Sequence, residues 1–276
     1  MNRRRGFSWI ELVFLLVLIA TVLALFLLRA GSSRESARRM ECENRLRGIF
    51  LAMQSYSLQY GHFPIGTQNP TGPIRSEPSG YHQNWISGVL PQLNEQSLYE
   101  TIDFDFGVYD EANRAVGSQP LEQLRCASTG DSLAENATSY VGMSSSTESP
   151  ISVDGDGMLI LNRPLSSADV LDGENYVLMI GEKSIDFGPP LAWNSGTRAS
   201  LRTGGLRINA PPPATVDPLV VGGLSSNHAG GAYGLTVGGE FRFLTDQMDP
   251  VLLQQLIDRA DAAGADEENT NENETR

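Results

Sequence analysis

The sequence predicts an α+β fold in which a long N-terminal helix leads into a globular head built on an antiparallel sheet. Three observations carry that expectation. Residues 7–28 are an apolar run whose polar members are Ser8, Glu11 and Thr21. Residues 34–60 then place Leu46, Ile49, Phe50, Met53, Tyr56 and Tyr60 at helical spacing. Near the other end, AYGLTV and EFRFL alternate on either side of Gly238-Gly239, a hairpin signal because tight two-residue turns need positive φ.

As a helix, residues 7–28 would span roughly 30 Å, the thickness of a bilayer's hydrocarbon core. That exceeds the core of about 7–15 residues in a cleaved secretory signal, so the run reads as a transmembrane helix. Arg3, Arg4 and Arg5 on the short flank keep the N-terminus cytoplasmic. The expected location is the inner (cytoplasmic) membrane, crossed once, with the C-terminal body periplasmic. Residues 29–62 read as the amphipathic continuation of the same helix. Glu35/Arg39, Glu41/Arg45 and Glu43/Arg47 are i,i+4 pairs with the acid N-terminal, and Gly61 with Pro64 forms the stop. Gly31-Ser32-Ser33 is a point where the helix could bend.

The head spans 63–260. A Pro/Gly-rich loop runs to about Gly80, residues 84–103 suggest one or two short helices, and 139–145, 157–162 and 176–182 read as strands. Residues 186–223 form a long Pro/Gly-rich connection. MDPVLLQQLIDRADAA, 248–263, reads as a last helix with Asp249 as N-cap and Pro250 in the first turn. Residues 261–276 form an acidic tail expected to be disordered.

The net charge of −13 and a pI near 4.6 exclude a general nucleic-acid binder, because no basic excess exists to neutralise phosphates. No motif points to a cofactor, and no nucleophile elbow, HExxH pair or Walker-type loop is present. The chain therefore reads as a non-enzyme. Ser225, Ser226, His228 and Glu182 can be combined into a hydrolase, but nothing in their spacing requires it. His228 reads instead as a loop-backbone partner. Asp154 and Asp156 read as an ordinary turn, since the remaining ligands of a calcium loop are missing. Cys42 and Cys126 read either as a disulfide closing a loop of about 85 residues or as two buried thiols; they lack CxxC spacing.

Glu11 is costly within an apolar helix. Together with its neighbours, Arg-Arg-Arg-Gly then Phe-Ser-Trp-Ile-Glu-Leu, it resembles the leader of type IV pilins and type II secretion pseudopilins, with Trp9 where Leu is usual. That resemblance implies a leader of residues 1–6, cleavage after Gly6, methylation of the Phe7 amine, and Glu11 guiding assembly. It implies a prepilin peptidase/methyltransferase, other pilin-like subunits and a secretion or pilus platform as partners. Farther on, ARRMECENRLRGI, YGHFP, NWISGVLPQLNEQSLY, DVLDGENYVLMIGE and SNHAGGAYGLTVGGEFRFL resemble a large planctomycete pilin-like family of unknown function ending in a His, nine residues, Asp-Gly motif. Here Gly238 stands where that family has Asp, and Leu28 where it often has a helix-bending proline. The function the resemblance implies is a structural subunit, membrane-anchored and then assembled through its N-terminal helix. The alternative is an envelope enzyme or ligand-binding protein that uses the segment only as an anchor.

Overall fold

A computed structural model describes residues 9–213 and 215–260. Gly6, Phe7 and the tail 261–276 lie outside the described residues, as do the side chains of 25–34.

Helix α1, Trp9–Tyr60, runs unbroken through the Gly-Ser-Ser stretch. It ends at Gly61, whose φ of 80° lets its N–H reach back to the Ser57 carbonyl at 2.8 Å. Cys42, Leu46, Ile49 and Met53, spaced by about one turn, are fully buried against the head. Arg45 pairs with Glu41 at 2.5 Å, and Arg47 pairs with Glu43 while stacking over the Phe241 ring at 4.4 Å.

The head is organised on five strands: β3 (Tyr140–Ser145), β4 (Leu178–Glu182), β5 (Leu201–Thr203), β6 (Gly231–Thr236) and β7 (Phe241–Thr245), in the order β5-β3-β4-β6-β7. A separate pair, β1 (Thr67–Gln68) and β2 (Gln83–Asn84), leads into α2 (Trp85–Val89), which Asn84 caps by accepting the Ser87 N–H at 3.0 Å. Short helices α3 (Gln96–Tyr99) and α4 (Glu111–Gly117) follow, and α5 (Pro250–Gln255) closes the fold under its Asp249 cap. Two apolar clusters sandwich the sheet. One joins it to α1 through Leu46, Ile49, Trp85, Tyr140, Ile180 and Leu235. The other gathers Val141, Met143, Leu178, Leu244, Leu253 and Ile257.

The expected fold class and location need correction. The sheet is mixed, because β5 lies parallel to β3, with Gly142 opposite Leu201. That strand has three residues, too few to show a period of two, and it emerges from the Pro/Gly-rich stretch expected to be coil. The long membrane helix and the single-pass inner-membrane location are also overturned: no helix among the described residues is long and apolar enough to cross a membrane. Residues 157–162 are not a strand either. Leu159 donates to the Met143 carbonyl at 3.0 Å, Leu161 makes one isolated bridge to Thr67, and Met158 through Leu161 fill the core as irregular backbone.

The hairpin turn also differs in detail. Gly239 donates to the Thr236 carbonyl at 3.1 Å and Thr236 to that of Glu240 at 3.0 Å, so the connection is Val237-Gly238-Gly239 rather than two residues. Of its two glycines, only Gly239 has positive φ, 90°. This is the loop in which a left-handed residue forms a bulge beside the turn.

Candidate functional site

Four segments distant in sequence meet where α1 crosses the end of β4. Helix α1 supplies Glu35 and Cys42, and the loop after residue 125 supplies Cys126. Strand β4 ends in Glu182, and the loop before β6 supplies His228. Cys42 and Cys126 form a disulfide with Cα atoms 5.0 Å apart, tying α1 to the head. Cys42 Sγ accepts the Ala127 N–H at 3.1 Å, and the Cys42 carbonyl accepts the Tyr140 hydroxyl at 3.2 Å.

His228 lies at the centre and is 2% exposed. Its Nδ1 is 2.9 Å from Glu35 Oε1. Its Nε2 faces Cys126 Sγ at 3.4 Å and Glu182 Oε1 at 3.5 Å. The Tyr233 ring meets the imidazole edge to face at 5.4 Å. Glu182 Oε2 accepts the Tyr233 N–H at 2.8 Å, while Oε1, buried in a residue 1% exposed, has no hydrogen-bond partner.

Burial by itself would lower the His228 pKa, but the Glu182 and Glu35 carboxylates beside its two ring nitrogens hold it above its ordinary value. For Glu35, burial pulls upward and is outweighed by hydrogen bonds from His228 and Arg38, leaving its carboxyl lowered. Burial, and then the Glu182 charge, push the Tyr140 phenol well above its usual range.

The expected site residues divide accordingly. His228 and both cysteines come together, whereas the His228 ring meets carboxylates and sulfur rather than the loop backbone. Ser225 Oγ accepts the N–H groups of Ser184 at 3.0 Å and Ile185 at 3.1 Å, and Ser226 Oγ accepts that of His228 at 3.2 Å. Both hydroxyls therefore shape loops. Asp156 accepts the Ser146 N–H at 2.6 Å and its hydroxyl at 2.5 Å, and Arg259 donates to the carbonyls of Gly155 and Gly157, which occupies the Asp154–Asp156 turn with protein groups. Glu11 is exposed on α1. The sequence reading missed Glu35, taken there only as half of a surface pair with Arg39, and Tyr233. No spacing rule links either to His228.

A second buried polar cluster adjoins the first. Asp186 sits among Lys183 at 3.1 Å, Arg202 at 3.4 Å and Arg198 at 3.8 Å. Burial lowers the Lys183 pKa to about 8. Arg198 spends its donors on the carbonyls of Ser76, Phe187 and Pro189, so the cluster clamps the 186–198 loop.

This mixed-sheet head, fastened to one helix by a disulfide beside a buried His–carboxylate cluster, defines a sheet-rich globular domain whose most chemically dense region is enclosed. The chain belongs to the family described as "Protein of unknown function (DUF1559)", whose model matches residues 31–251. No curated protein and no solved structure matches the chain. The family match begins after the apolar stretch and leaves out residues 3–11.

Proposed function

We propose that the chain is a pilin-like structural subunit that assembles with other copies or related subunits through the apolar part of α1, in a type II secretion or type IV pilus-like system. One observation carries this reading. From Trp9 to Leu23 the helix exposes apolar side chains all round, with Trp9 79%, Phe14 74% and Leu16 57% exposed. A helix apolar on every side is covered in its working state, and large exposed apolar patches mark interaction surfaces. The same helix on neighbouring copies offers a matching apolar cover. The leader pattern at Gly6 and Phe7, with Glu11 four residues beyond, supports the same reading and brings in a prepilin peptidase/methyltransferase as a partner.

A photo-crosslinking residue at Phe14 in the full chain, expressed in its native cells, tests the proposal. Adducts at multiples of the chain mass, or with other pilin-like subunits, are the expected result. Monomer alone, with the head folded, would overturn it.

A further inference from the structure

The His228 cluster has the composition of a metal site. One ligand atom from each of Cys42, Cys126, Glu182 and His228 can be chosen so that all four lie within 4.8 Å of one another, and all four residues are buried. We propose that, with the disulfide reduced, these four residues bind one zinc-type divalent cation. Two thiolates, an imidazole and a carboxylate are a tetrahedral donor set suited to zinc.

Three further observations support the assignment. Glu182 Oε1 lacks a hydrogen-bond partner and lies 3.5 Å from His228 Nε2. Glu182 Oε2 is held by the Tyr233 N–H, which fixes the carboxylate with its other oxygen inward. Glu35 lies at 2.9 Å from His228 Nδ1. A proton on Nδ1 donated to that carboxylate leaves the Nε2 lone pair facing Cys126 and Glu182, which is how carboxylates orient metal-binding histidines.

The chemistry balances with a dithiol as reductant. The disulfide takes up two electrons and two protons and becomes two thiols, and the dithiol becomes a cyclic disulfide. Binding the cation then displaces the two thiol protons and, where His228 is protonated, the proton on its Nε2, all released to solvent. The sulfurs must move apart to about 3.8 Å, the edge of a tetrahedron with Zn–S bonds near 2.3 Å.

The test uses the full chain, reduced anaerobically with dithiothreitol, desalted and titrated with Co(II) as a spectroscopic probe, then with zinc as competitor. The expected result is one Co(II) per chain, with tetrahedral d–d bands and thiolate charge transfer that zinc abolishes. The oxidised chain should show neither. His228→Gln and Glu182→Gln should each weaken binding by about tenfold or more, and Glu35→Gln by about 10–100-fold, the range for groups that orient a ligand. Circular dichroism before and after metal addition monitors the fold, and a reduced chain that refolds on adding metal supports the proposal. Absence of Co(II) bands in the reduced chain, whether folded or not, would overturn it. So would equal binding by the oxidised chain, or binding indifferent to both His228→Gln and Glu182→Gln.

Discussion

His82 shows how burial sets a residue's contribution. It is 3% exposed, has a φ of 43°, and places Nδ1 3.2 Å from the Tyr109 hydroxyl. That hydroxyl lies 2.6 Å from Ser195 Oγ in a chain of enclosed polar groups. Desolvation lowers its pKa from 6.5 to about 4. The unfolded chain therefore gains a proton near pH 6.5 that the folded chain refuses until about pH 4. This contribution is complete above pH 6.5, declines as pH falls toward 4 and is constant below, worth about 3 kcal/mol across the window. Urea unfolding of the wild type and of His82→Asn, an exchange that suits positive φ, should show the variant's pH slope flattened over that range. Parallel slopes would contradict the assignment. His228 behaves differently, because its Nε2 lies 3.5 Å from the buried Glu182 carboxylate. From the sequence, His228→Ala costs about 1 kcal/mol, the worth of one neutral hydrogen bond. With Glu182 left buried and uncompensated, the expected loss becomes about 3–5 kcal/mol, measured by denaturant unfolding. His228 was visible in the sequence as a candidate. Its partners were not, since they come from α1 and β4, and only tertiary packing brings Glu35 and Glu182 to its two nitrogens.

At the scale of elements, the β6–β7 hairpin shows how a local signal can place an element and still miss its geometry. Alternation around Gly238-Gly239 located both strands, and the observed register pairs Leu235 with Phe241. The extra loop residue arises because Val237 turns aside to donate to the Val177 carbonyl at 2.9 Å, a contact outside the hairpin. The two glycines are therefore unequal. A Cβ at Gly239 would need the left-handed region and would collide with the Phe50 ring of α1. At Gly238 it would meet mainly the movable Asn175 amide. Gly239→Val should destabilise the head by about 3 kcal/mol or more, strain and overpacking acting together. Gly238→Ala should cost less than Gly239→Ala in paired thermal melts, and the reverse order would refute this account. The same limit explains the other element-level differences. The periodicity of α1 from Cys42 to Met53 survives folding because that stretch buries a face, whereas β6 is covered on both faces by the two apolar clusters. Strand β5 and the irregular run at 157–162 owe their conformation to neighbours: β5 adds to β3, and Leu159 hangs from Met143.

For the whole molecule, the central fact is the contrast between the two parts of α1. From Cys42 onward it contributes to the core and is tied down by the disulfide. Its described apolar side chains from Trp9 to Leu23 are instead exposed and belong to neither of the head's two apolar clusters. Folding of the head and use of the apolar segment should therefore be separable, because sites that share no partners contribute additively. Glu11 is the residue best placed to test this, lying on the exposed segment near the proposed mature N-terminus at Phe7. If Glu11 pairs with the Phe7 amine of a neighbouring copy, Glu11→Val removes that attraction and leaves the head's packing untouched. The melting temperature of the head should match wild type, while crosslinking between copies through Phe14 falls severalfold. Mass spectrometry of the same material should find methylated Phe7 at the N-terminus of both proteins, because cleavage after Gly6 precedes assembly in this scheme. Wild-type crosslinking in Glu11→Val would remove Glu11 from the assembly mechanism. An intact Met1 in both would remove the processing step and leave the apolar segment as a surface whose partner must be sought elsewhere.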